Sequence, residues 1–139
     1  TSHLARVPSS IVGDSAGNQS GQELAANALN EQWEDGARAL AVSDYYSRNG
    51  QFDWLQRIGF SANDIGGHAG IRDTSELMAV SANEIRSEQI QRNGGGPESG
   101  VNGNPKLASK RLGEKLLSLK INAAVRQIES ATASKLEAK

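Results

Sequence analysis

At 139 residues the chain can build one domain with a core and is short for two. Only 37% of it is hydrophobic, mean hydropathy is −0.52, and cysteine is absent, which excludes disulfide frameworks, thiolate metal sites and cysteine nucleophiles. The net charge of −1 hides an uneven split, with seven basic and thirteen acidic side chains in residues 1–100 and eight basic and three acidic ones in residues 101–139.

Residues 1–9 show little periodicity. Ser10-Ile11-Val12 reads as the end of a short strand stopped by Gly13, and the stretch from Gly13 to Gly21 reads as a polar, glycine-punctuated loop. Leu24, Ala25, Ala28, Leu29 and Gln32 or Trp33 fall at helical spacing, which predicts a helix over 22–33 ended by Glu34-Asp35-Gly36. Ala37 to Ser43 is a short apolar run without alternation, the pattern of a buried parallel strand. Strand, helix and strand together predict one right-handed βαβ unit. Ligands sit at the carboxyl ends of strands in such sheets, so the loop at Gly13 and the Asp44-Tyr45-Tyr46 segment are expected to be neighbours, with one tyrosine packed and one facing the cleft.

Further on, residues 52–58 read as a short helix ended by Gly59, with Trp54, Leu55 and Ile58 apolar; Trp33 and Trp54 are expected to pack. The stretch Gly67-His68-Ala69-Gly70-Ile71-Arg72-Asp73-Thr74-Ser75 follows. Its glycines let a backbone turn tightly, and Asp73 or Thr74 is placed to cap a helix starting near Ser75. His3 lies near the start of the chain, so imidazole chemistry falls to His68. The plainer reading is a helix-entry loop with a solvated histidine. Arg72 is expected to pair with Asp73 or Glu76. Helices are expected over 75–80 and 83–91, then a surface loop over 93–103 that is rich in glycine. Asn104-Pro105 supplies a cap and first-turn proline for a final helix over 105–130, with residues 131–139 frayed. Its Lys106, Lys110, Arg111, Lys115 and Lys120 alternate with leucines and no aromatic group interleaves them, so the basic stripe reads as a solvated face rather than a nucleic-acid site. No apolar run reaches the roughly 18–20 residues of a membrane span, and no signal-peptide core is visible, so no membrane partner and a cytoplasmic location are expected.

Two loops and the closing helix together resemble the creatininase (creatinine amidohydrolase) family. Its glycine turn of the form Gly-Asp-His-Gly-Gly-Asn-Gln is matched by Gly13-Asp14-Ser15-Ala16-Gly17-Asn18-Gln19. Its His-Ala-Gly loop followed by Glu-Thr-Ser or Asp-Thr-Ser is matched by His68-Ala69-Gly70 and Asp73-Thr74-Ser75. The stretch Gly103-Asn104-Pro105-Lys106-Leu107-Ala108-Ser109, with Leu112-Gly113, is similar to the family's last helix. The resemblance implies an α/β fold. The expected architecture is a partial three-layer sandwich, with a small, mainly parallel sheet flanked by helices and a long C-terminal helix. As one partial domain it would comprise a body over 10–92, a loop over 93–103 and a helix over 104–130.

The same resemblance implies a divalent metal, zinc or manganese, and hydrolysis of a carbon–nitrogen bond in a small amide. His68 would be the catalytic, proton-shuttling histidine, Asp73 and Asp14 the candidate metal ligands, and Ser15, Gly17, Asn18 and Tyr46 residues of the substrate loops. A metal-bound water attacks the carbonyl, and an imidazole moves the proton to the leaving nitrogen. Two departures from the family stand out. Ser15 occupies the place of a metal-binding histidine, and a neutral hydroxyl is a poor substitute for it. Family members are also about twice as long, so the chain is expected to correspond to their C-terminal half. Two readings follow. One is an amidohydrolase incomplete in this chain alone; the other is a non-catalytic, oligomerising protein that kept the scaffold and lost the metal. Half a sheet leaves an open edge, which predicts a homo-oligomer.

Overall fold

The computed structural model describes residues 10–11, 19–34, 37–93 and 97–137. Among them helices dominate: α1 (Gln19–Gln32), α2 (Gln51–Arg57), α3 (Ala62–Ile65), α4 (Ile71–Ser81), α5 (Ser87–Asn93) and α6 (Lys110–Glu137). Extended pairing is limited to β1 (Ser10–Ile11) and β2 (Leu40–Ala41), which run parallel with Ser10 opposite Leu40 and Ile11 opposite Ala41. The expected α/β sandwich is therefore not the fold; the protein is mainly helical.

The physical reason lies on either side of β2. The Asn30 side chain of α1 takes both polar groups of Ala39: its amide donates to the Ala39 carbonyl at 2.9 Å, and its oxygen accepts the Ala39 N–H at 2.7 Å. Those groups are thus satisfied by a side chain and not by a strand ladder. Past Ala41 the backbone leaves the extended region at Val42 (φ −85, ψ 71) and closes a 3-10 turn over Ser43–Tyr45. An apolar run of seven residues is compatible with such a path, and periodicity alone cannot tell it from a strand.

The chain divides into two compact units, residues 1–49 with 121–139, and Gly50–Lys120; the boundary falls inside α6. In the first unit Ala26 of α1 packs with Ala39 and Ala41, and Leu29 and Trp33 extend that cluster. Gln127 of α6 accepts the Asp44 N–H at 2.9 Å and donates to the Ala41 carbonyl at 3.2 Å.

In the second unit Leu55, Ile65, Ile71 and Leu116 are fully buried, one each from α2, α3, α4 and α6, with Trp54, Phe60 and Leu112 against them. Each such side chain contributes roughly 1.5–3 kcal/mol by its burial. Helices α4 and α6 meet backbone to backbone at Ser75 and Gly113. A Cβ on Gly113 would lie 1.8 Å from the Ser75 carbonyl oxygen. The Ser75 hydroxyl accepts the Ser109 N–H at 3.1 Å, and the Ser109 hydroxyl accepts the Leu112 N–H at 3.3 Å as the N-cap of α6. Beside this crossing, Glu76 accepts from Lys120 Nζ at 2.7 Å and from the Gln51 side-chain amide, which also donates to the Leu116 carbonyl at 2.9 Å. Glu76 thus pairs with Lys120, a partner the sequence reading did not name.

Several helix limits differ from expectation, most clearly those of α4 and α6. Gly70 serves as the N-cap of α4, so the helix starts at Ile71, whose side chain needs that turn to enter the core. At the other end, Pro105–Leu107 forms a single 3-10 turn, Ala108 is extended, and α6 then runs from Lys110 to Glu137, past the expected end. No described helix is long and apolar enough to cross a membrane.

Candidate functional site

The segment from α3 to α4 carries His68. Ser61 starts α3 as its N-cap: its hydroxyl accepts the Asp64 N–H at 3.1 Å and donates back to the Asp64 carboxylate at 2.6 Å. Gly66 then turns the chain with φ +62, and a Cβ there would sit 1.9 Å from the Asn102 carbonyl oxygen, so only glycine fits.

His68 is exposed, yet its backbone is fixed on both sides. It forms an antiparallel bridge with Asn102, donating to the Asn102 carbonyl at 3.2 Å and accepting the Asn102 N–H at 2.8 Å. Gly67 donates to the same carbonyl at 3.1 Å and to the Asn102 side-chain oxygen at 2.6 Å. After it comes Ala69, with φ 52, the one non-glycine residue at positive φ among the described residues. That left-handed conformation costs an alanine about 1–2 kcal/mol, and two bonds hold it. The Ala69 N–H donates to the Asp73 carboxylate at 2.7 Å, and the Thr74 hydroxyl donates to the Ala69 carbonyl at 3.1 Å.

Asp73 and Thr74 therefore act from inside the first turns of α4, reaching back over the loop, and neither is the N-cap that the sequence suggested. The strap opposite, residues 102–104, is anchored as well. Asn104 donates its backbone N–H to the Asp64 carbonyl at 2.8 Å and its side-chain amide to the Asp64 carboxylate at 3.2 Å. Between the two asparagines, Gly103 (φ +126) lies so close to the loop that a Cβ would approach the Ile65 carbonyl oxygen to 2.9 Å. Hydrogen bonds from Ser61 and then Asn104 hold the Asp64 carboxyl below its ordinary range.

Of the residues singled out in the sequence, Asp73 reaches the backbone beside His68, accepting the N–H of the next residue, Ala69. Tyr46 belongs to the other unit, where it is half-buried and its carbonyl accepts from the Asn49 side chain at 2.9 Å. Asp14, Ser15, Gly17 and Asn18 lie outside the described residues. Both tryptophans pack as expected, Trp33 on the alanine cluster and Trp54 on the leucine–isoleucine cluster. The sequence reading missed Asn102 and Asp64. The signal for Asn102 was an Asn-Gly-Asn-Pro run, whose asparagines are suited to bonding nearby backbone.

A zinc or manganese ion takes three or four ligands from such side chains. Asp73 already commits one oxygen to the Ala69 N–H, and among the described residues no group of three His, Cys, Asp or Glu side chains could hold a metal. The described residues do not fit a metal site by themselves. No protein-family model matches the chain, and neither does a curated protein or a solved structure.

Proposed function

We propose that the chain carries the proton-transfer loop of an amidohydrolase resembling the creatininase family, acting on the C–N bond of a small amide in the cytoplasm. The observation that supports this reading most is an exposed imidazole on a backbone held at Gly67, His68 and Ala69 by six hydrogen bonds and one strained torsion. A solvated surface histidine needs no such support, whereas a proton-transfer group needs a fixed position. In this role His68 gives a proton to the departing nitrogen and regains one from the attacking water. The test is turnover of creatinine and of open-chain formamides by the full chain with zinc or manganese supplied. His68→Ala is expected to lower turnover by about 100-fold without loss of helix content. Equal turnover by both proteins would refute the reading.

A second reading is favoured by Ser15, which stands where the resemblance calls for a metal-binding histidine, and by exposed Ile121 and Val125 on α6. It makes the chain a non-catalytic protein that assembles with copies of itself. Absence of turnover on every amide, together with reversible self-association, would select it.

A further inference from the structure

We propose that Asn102 is a positioning residue for His68, acting through its side chain on Gly67; the catalytic half of this statement rests on the function proposed above. The backbone bridge between His68 and Asn102 would survive most substitutions at position 102, because it uses only main-chain groups. The side-chain bond would not. Asn102 Oδ1 accepts the Gly67 N–H at 2.6 Å, closer than the Asn102 carbonyl at 3.1 Å. Gly67 is exposed and carries no side chain of its own, so it is a joint of wide intrinsic freedom on the approach to the histidine. Asn102 holds that joint from a strap that is itself pinned to Asp64 through Asn104. The imidazole thus starts from a backbone fixed before any substrate arrives, which is how placement lowers a barrier.

The experiment compares Asn102→Ala and Asn102→Asp in the full chain by amide hydrogen exchange, by NMR of the His68 ring and by turnover. Asn102→Ala is expected to speed exchange at Gly67 about tenfold, shift the His68 ring signals and lower kcat with KM unchanged. Asn102→Asp keeps an acceptor oxygen and is expected to restore Gly67 protection. If Asn102→Ala unfolds, Asn102→Leu, similar in shape but without the acceptor, gives the comparison. Unchanged exchange at Gly67 in the alanine or leucine variant, or no recovery with aspartate, overturns the assignment. Exchange and ring signals are read whether or not an amide is hydrolysed. A lost Gly67 bond beside unaltered turnover in His68→Ala would uphold the positioning and refute the catalytic role.

Discussion

Asp64 ties Ser61 and Asn104 together through its own N–H, its carbonyl and its carboxylate. Bonds from Ser61 and Asn104 favour the ionised carboxylate, so the folded-state pKa lies below the unfolded one. A group of that kind stabilises the fold above its unfolded pKa, near 3.9, and loses this contribution as pH falls through the folded value. Asp64→Ala is therefore expected to lower the thermal midpoint at neutral pH, with a gap to the parent protein that narrows below about pH 4. Thermal melts across acidic and neutral pH check this; a gap that stays constant would contradict it. At this scale the sequence made His68 and Asp73 legible, because a histidine and a carboxylate among glycines stand out. It did not disclose Asp64 or Asn102, whose importance comes from a contact between residues 35–40 positions apart.

Helices α4 and α6 show how a single position governs an element. Gly113 lets α6 rest on the Ser75 carbonyl of α4, and any Cβ there meets backbone, which cannot move aside as a flexible side chain would. Gly113→Ala is expected to cost about 3 kcal/mol or more in chemical denaturation, at the upper end for overpacking. Gly21 in α1 has nothing within 4 Å of its missing Cβ, so Gly21→Ala is expected to stabilise by roughly 0.5–1 kcal/mol. Comparable effects at both sites would show that the crossing is not close. Most helices were legible from apolar spacing and from stops such as Gly59. So was the parallel pairing of residues 10–11 with 40–41 around α1; a larger sheet does not form, because the apolar run at 37–43 pairs only at Leu40–Ala41, with Ala39 bonded to an asparagine side chain and Ser43–Tyr45 in a 3-10 turn.

At the scale of the whole molecule, α6 belongs in part to each unit, and its part from Ile121 onward leaves Ile121 and Val125 exposed one helical turn apart. If the scaffold reading holds, these side chains mediate self-association. Sedimentation should then give a mass that rises with concentration and returns to that of a monomer in the Ile121→Glu, Val125→Glu double variant. A concentration-independent monomer would exclude it. The amidohydrolase reading turns on one histidine and is tested most directly by chemical rescue. Free imidazole added to His68→Ala should restore part of the lost amide turnover in a saturable, dose-dependent way. Turnover that His68→Ala does not reduce, or a loss that imidazole leaves untouched, would contradict the assignment of His68 as the proton carrier.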